Sequence, residues 1–216
     1  MADTLNDTLR TQLDAYVTDH FVDEDGILQS IQTEAARNEL PAISIRAFEG
    51  RLLQMLVRIA GAKQIVEIGT LAGYSAVWIA RGLPAGGKLY TLEKSSKHAA
   101  IARANFERAG LTARIELLEG DAQDLLAKLA PHNPFDMVFI DADRPHYQDY
   151  LDWAAENLRP GGIVAAHNAF RSGRVLAPEN DDDSFVQTFN AELAKDPRFE
   201  AFVFAIGDGL AVAVRK

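Results

Sequence analysis

The sequence predicts an α/β domain: a seven-stranded, mostly parallel sheet with helices on both faces and an antiparallel hairpin strand at its C-terminal end. Three observations predict it. Beyond Lys63, short apolar runs alternate with amphipathic stretches. That rhythm suits parallel strands whose two faces are both covered by helices. The closing segment "FEAFVFAIGDGLAVAVRK" breaks the rhythm, with two apolar runs joined by Gly207-Asp208-Gly209. Asp-Gly between such runs is a hairpin signal, and it places an antiparallel strand at 210–214.

The first 60 residues read as helical. Leu5, Leu9, Leu13 and Val17 recur every four residues and share one helical face. Ile27, Leu28 and Ile31 carry a weaker pattern of the same kind. "FEGRLLQMLVRIAGA" turns Leu52, Leu53, Leu56 and Val57 inward and stops at Gly61. The strands then follow as "QIVEI" (64–68), "KLYTL" (88–92), "ARIEL" (113–117), "FDMVFI" (135–140) and "GIVAA" (162–166). Helices fall near 73–82, 96–109, 121–130 and 146–157. The acidic "PENDDDSF" (178–185) reads as a solvated loop leading into a helix.

The composition suits one domain over 1–216, with a helical cap at 1–60 and a sheet core at 63–216. Of 216 residues, 48% are hydrophobic and 25% charged, enough to bury a sizeable core. There is no cysteine, so neither a disulfide nor a thiolate metal site can form. No apolar stretch reaches the ~18 residues of a membrane span. The polar, acidic N-terminus lacks the features of a secretory signal, and a cytoplasmic location is expected. A net charge of −9 argues against a broadly basic nucleic-acid surface.

The chemistry lies at the strand ends. "VEIGTLAGYS" follows the first strand and opens a helix, with glycines at 69 and 73. It lacks the G-x-G-x-x-G dinucleotide fingerprint. Glu67 ends an apolar strand, where a lone carboxylate is costly to bury. Glu93 ends the second strand, a place where an acid commonly binds ribose hydroxyls. Asp121 and Ala122 follow the third strand, and Asp121 also suits a helix N-cap. Three acids at three successive strand ends describe a pocket for a nucleoside that carries positive charge.

With these residues in view, the chain resembles the class I S-adenosylmethionine-dependent methyltransferases. More narrowly, it resembles the cation-dependent O-methyltransferases, the group of the caffeoyl-CoA and catechol enzymes. The landmarks are "EGRLLQMLVRIAGAKQIVEIGTLAGYSA", "AGLTARIELLEGDA", "FDMVFIDADRPHYQDY", "LRPGGIV", "GRV" and "IGDGLAVAVRK". The resemblance implies a Rossmann-like sheet and S-adenosylmethionine as cofactor. It implies that Glu67 and Gly69 line the methionine part and that Thr70 and Ser75 contact it. Glu93 would bind the ribose, Ala122 would sit by the adenine beside Asp121, and Ile45 would pack at the entrance. Arg46 stands where the group usually has serine. The resemblance also implies a homodimer and a small aromatic substrate carrying a hydroxyl.

Asp141 closes the fourth strand, and His167 and Asn168 close the fifth. Ends of adjacent strands lie ~4.8 Å apart and can reach one ion. The resemblance implies that Asp141, the residue at 167 and Asn168 hold a divalent metal, usually magnesium, with Asp141 also beside the cofactor. Two positions depart from the group: His167 replaces an aspartate, and Arg144 replaces the lysine proposed as general base. Imidazole suits zinc, iron, nickel or cobalt better than magnesium. Arginine stays protonated and is a poor base. Three roles are open to His167: ligand of a transition metal, general base, or hydrogen-bonded structural residue. His146 reads as a residue of a helix's first turn, and His20, His98 and His132 as surface residues.

The expected activity is methyl transfer to a hydroxyl of a small, catechol-like aromatic, with Arg144, His167 and Asp141 at the chemistry. The alternatives are a methyltransferase for a hydroxylated transfer-RNA base, a nicotinamide oxidoreductase, and a cofactor-binding module without turnover.

Overall fold

The structure, a computed structural model, describes residues 7–216. Three helices come first: α1 (Asp7–Phe21), α2 (Gly26–Arg37) and α3 (Ala47–Ala60). Gly61 ends α3 in the left-handed conformation, with φ of 59°. Strands and helices then alternate through β1 (Gln64–Ile68), α4 (Tyr74–Gly82), β2 (Lys88–Glu93), α5 (Ser96–Arg108), β3 (Ile115–Glu119) and α6 (Ala122–Leu129). They continue through β4 (Phe135–Ile140), α7 (Tyr147–Asn157), β5 (Leu158–His167), α8 (Asp181–Leu193), β6 (Phe199–Phe204) and β7 (Leu210–Arg215).

The seven strands form one sheet in the order β3-β2-β1-β4-β5-β7-β6. The first five pair in parallel, and β7 runs antiparallel between β5 and β6. The expected antiparallel strand is therefore internal, and β6 forms the edge. Successive strand residues point to opposite faces. Ile65, Met137 and Ile163 pack under α2 to α5 with Leu28, Leu53, Val57, Val77 and Phe106. Val66, Val138 and Val164 pack on the other face with Leu126, Leu151 and Phe189. Both faces are buried, as a parallel sheet requires. Among the described residues, no helix is long and apolar enough to cross a membrane.

β5 starts four residues before the expected run at 162–166, and three further expectations change. β3 starts two residues later than expected, because Leu111 to Arg114 form a hydrogen-bonded turn after α5. The predicted face of α1 points outward: Leu13 and Val17 are exposed, and Leu5 lies outside the described residues. The acidic run 181–183 is the first turn of α8, capped by Asn180. Asp183 is not solvated; it is buried between Arg171 Nε at 2.9 Å and Arg174 Nε at 3.0 Å. The helix N-terminus and two guanidiniums together accept the charge.

One close approach shapes the sheet's C-terminal rim. Gly69 has φ of +95°, and a Cβ there would lie 2.2 Å from the Asp141 carbonyl oxygen. Gly69→Ala is expected to cost about 3 kcal/mol or more, since strained backbone and a backbone clash combine. Gly61→Ala meets no atom within 4 Å, and its left-handed φ alone should cost about 1 kcal/mol. Urea denaturation of both variants checks the difference; equal losses would rule out the close approach.

Candidate active site

Register aligns the strand ends. Ile68 pairs with Ile140, and Ile140 with Ala166. Gly69, Asp141 and His167 are thus the next residues of three adjacent strands. The Asp141 N–H donates to Ile68 O at 3.0 Å, and the Gly69 N–H to Leu92 O at 3.0 Å. A cleft of about 710 Å³ opens above this rim, where an open parallel sheet places its ligand.

Gly69, Thr70, Ser75, Glu93, Asp121 and Ala122 line one half of the cleft, with Ile45 at its wall. Glu93 is nearly buried, and its carboxylate accepts from the N–H groups of Leu71 at 2.8 Å, Thr70 at 3.3 Å and Ser95 at 2.8 Å. It therefore shapes the loop after β1 as well as facing the cleft. Asp121 caps α6 through the Gln123 N–H at 3.1 Å and pairs with Lys94 at 2.9 Å. The Thr70 hydroxyl turns inward, donating to Leu92 O at 3.1 Å. The Thr70 backbone is engaged as well, its N–H by Glu93 and its carbonyl by the Gly73 N–H at 2.8 Å.

Glu67 is displaced from expectation. It is fully buried, behind the cleft wall. Its Oε1 accepts from Ser75 Oγ at 2.6 Å and its Oε2 from Thr91 Oγ1 at 2.6 Å. Burial raises its carboxyl to about 8, against the pull of those two hydrogen bonds. Ser75 is the group that connects it to the cleft. His98 also differs from expectation: it is partly buried, lines the cleft and lies 3.5 Å from Glu93 Oε1. His146 is the N-cap of α7, with Nδ1 2.9 Å from Asp149, and stays out of the cleft.

The other half holds Asp141, Arg144, His167 and Asn168. Asn168 sits at φ of 59°, a left-handed position that asparagine tolerates. Its Oδ1 accepts from Arg144 Nη2 at 2.9 Å, and its Nδ2 donates to Asp208 at 3.3 Å. Arg144 Nη2 lies 4.0 Å from Asp141 Oδ1, and Nη1 donates to Ala142 O. The guanidinium also stands over the Tyr147 ring, 5.6 Å from its centre.

Sequence reasoning missed the partner of His167. Glu49 Oε1 lies 3.1 Å from His167 Nε2, and both side chains are buried. The one available signal was spacing: Glu49 is three residues beyond Arg46 at the start of α3, and its Oε2 accepts the Arg46 N–H at 2.7 Å. The other ring nitrogen, Nδ1, stands 3.4 Å from Asp141 Oδ2, off the line that a hydrogen bond needs. Burial opposes charge on this imidazole, but the Asp141 and Glu49 carboxylates override it and raise it to about 10.

Comparisons with known proteins agree with this geometry. Residues 18–216 match the model of a family described as O-methyltransferase. The chain is 41% identical to a catechol O-methyltransferase of Niastella koreensis, over 98% of this chain and all of that protein. It is 39% identical to a catechol O-methyltransferase of Mycobacterium tuberculosis, over 80% of this chain and 78% of that protein. The fold superposes on an O-methyltransferase from Bacillus cereus in complex with SAH, with a TM-score of 0.89 and 39% identity. That match covers 95% of this chain and 97% of the other. The chain belongs to the O-methyltransferase family.

In this O-methyltransferase only one pair of donors, among the described residues, stands where the resemblance implies a divalent ion. His167 Nδ1 is buried without a hydrogen-bond partner and faces a carboxylate oxygen. Among the described residues no three His, Asp or Glu side chains converge on one point. The expected trio is thus reduced: Asn168 Oδ1 is shared with Arg144, and His167 and Asp141 are the pair that the strands bring together.

The buried Glu67 generates a pH prediction. Its carboxyl stands at about 8 in the fold, against an ordinary 4.5. The protonated form is favoured in the native state, so its contribution is fully present below pH 4.5 and is lost as pH rises through about 8. Glu67→Gln removes this titration. The stability of the variant relative to the parent should therefore climb between these limits, by up to about 1.4 kcal/mol per pH unit. Urea denaturation at a series of pH values reads it; a constant difference would contradict the buried, neutral carboxyl.

Proposed function

We propose that this O-methyltransferase moves the methyl group of S-adenosylmethionine to a hydroxyl of a small, catechol-like aromatic. One observation carries the reading: a single cleft joins the acid-lined ends of β1 to β3 with Asp141, Arg144, His167 and Asn168 at the ends of β4 and β5. A cationic nucleoside donor suits the first half, and an oxygen acceptor suits the second. The names of the two catechol O-methyltransferase relatives support the acceptor, and the SAH-bound relative supports the donor.

In this reading Glu93 takes the ribose hydroxyls on the carboxylate edge that the loop N–H groups leave open. Gly69 and the Thr70 backbone border the methionine part, and Ser75 presents the hydroxyl that Glu67 orients. Asp121 and Ala122 border the adenine, and Ile45 closes the entrance. The substrate oxygen attacks the sulfonium methyl in line. An O–C bond forms as the C–S bond breaks, its electron pair stays on sulfur, and the hydroxyl proton leaves to water. Arg144 keeps its charge and steadies the negative character of the attacking oxygen. A divalent ion held by Asp141 and His167 would acidify that hydroxyl. Alignment of donor and acceptor supplies the larger share of the rate.

We extend the proposal to a cytoplasmic homodimer. The outward apolar residues Leu13, Tyr16 and Phe21 of α1 and Phe202 of the edge strand β6 support a covered face.

Incubation with labelled S-adenosylmethionine and catechols should give methylated product. Transfer to no hydroxylated aromatic would overturn the reading. Glu93→Gln should raise the Kd for S-adenosylmethionine by about tenfold or more, because a charged hydrogen-bond acceptor is lost. Calorimetry on the folded variant measures it, and an unchanged Kd would remove Glu93 from the donor site.

A further inference from the structure

Arg171 and Arg174 line the cleft in the segment between β5 and α8, and they are held differently from its other lysine and arginines. The Lys94 ammonium sits on Asp121, Arg46 Nη1 on Asp14 and Arg144 Nη2 on Asn168 Oδ1. Arg171 and Arg174 are gripped at Nε instead, by the two oxygens of Asp183 at 2.9 Å and 3.0 Å. Their Nη groups make no hydrogen bond to any described residue. The one ion-pair contact of these groups is Asp182 Oδ2, an exposed carboxylate 3.8 Å from Arg171 Nη2.

A guanidinium carries its N–H donors in a rigid planar fork. An anchor at Nε fixes the plane and leaves the Nη1–Nη2 edge open. That edge can take a second carboxylate through two parallel bonds. The anchor itself is firm: Asp183 is fully buried, and its Oδ2 also accepts the Glu179 N–H at 3.3 Å. One carboxylate serves two guanidiniums, so the group keeps positive charge in excess.

The backbone beneath them is held against its preference. Arg171 has φ of 50° and Ser172 of 55°, left-handed conformations that are unfavourable for residues with a Cβ. Asp208 accepts the Ser172 N–H, and Asp183 fixes the Arg171 side chain. Unfavourable backbone that its surroundings enforce is characteristic of ligand clamps. The Arg171 N–H donates to Asn168 O at 3.2 Å, so the two arginines begin one turn from the rim. The acids on this side are engaged: Asp208 with Ser172 and Asn168, Asp141 with His167 and Arg144.

We infer that Arg171 and Arg174 form a recognition site for a carboxylate carried by the aromatic acceptor, with Asp183 as their positioning residue. The inference rests on the methyltransferase reading and narrows its substrate class to hydroxylated aromatic acids. A chain of net charge −9 needs such local positive charge to receive an anion.

Three acceptors of similar shape and different charge test it: a dihydroxybenzoate, its primary amide and the matching benzylamine. The KM of the acid should lie about tenfold or more below those of the amide and the amine, the scale of a charge-assisted contact. The preference should shrink as salt rises, because part of it is Coulombic. Arg174→Gln and Arg171→Gln should each collapse the preference through the KM of the acid, while circular dichroism stays native. If either variant fails to fold, the salt dependence and the acid–amide difference in the parent decide. Asp183→Asn should raise the KM of the acid by about tenfold with kcat kept, because the forks lose their common anchor. A uniform fall in kcat for all three acceptors would make Asp183 structural only. Equal KM values for acid and amide in the parent, or a preference that survives both arginine variants, would overturn the site. Calorimetry with S-adenosylhomocysteine present reads acceptor binding without turnover. Tighter binding of the acid with no methyl transfer would count against the reaction and leave the site standing. Binding of the acid no tighter than that of the amide would overturn the site whatever the turnover.

Discussion

The chain of contacts from Glu49 through His167 to Asp141 holds the functional end of this molecule together. Three parts of the chain meet there: the first turn of α3, the end of β5 and the end of β4. Glu49 also accepts the Arg46 N–H, so the entry into α3 is fixed by the residue that orients His167. Asp141 is tied to β1 through its own N–H. A shift of the helical cap would therefore move the imidazole, and through Asp141 it would reach the loop after β1. Removing one partner from such a buried group typically costs about 3–5 kcal/mol, because the remaining charges are left unpaired. Stability and chemistry are coupled at this point.

The division of labour across the cleft follows from the order of the strands. β1 lies between β2 and β4, so one loop, Gly69 to Gly73, faces the acids of β2 and β3 on one side and the Asp141 strand on the other. Glu93 holds that loop with two N–H groups, and Asp141 O lies against Gly69. The two halves of the cleft are two sides of one backbone turn. A ligand that orders the turn from the Glu93 side also sets the distance to Asp141. That is the arrangement an in-line transfer needs, since a misplacement of about 1 Å can cost a hundredfold in rate.

Period and punctuation made most of the fold legible. β1 and β4 lie where the apolar runs place them, and α3 ends at the glycine that marks its stop. What was illegible depends on contacts distant in sequence. Glu49 meets His167 across 118 positions, and nothing local marks that glutamate as buried. Glu67 ends its strand as expected, but which side of the wall its carboxylate takes depends on Ser75 and Thr91. The acidic run near 181 looked solvated because Arg171 and Arg174, which neutralise Asp183, precede it in an irregular turn. His98 looked like a surface residue because the helix pattern does not show that Glu93 stands beside it. Periodicity reads burial against a sheet and does not read polar pairing.

The same pairing explains why histidine at 167 and glutamate at 49 belong together. The family resemblance leads one to expect an aspartate at 167. With Glu49 present, that aspartate would add a carboxylate between Glu49 and Asp141. Buried like charges at such distances force one group to bind a proton. An imidazole in the same place turns the repulsion into two attractions, one at each ring nitrogen. Glu49 and His167 therefore act as one unit: each gives the other a partner in a buried place. Changing either alone should disturb the site more than changing both.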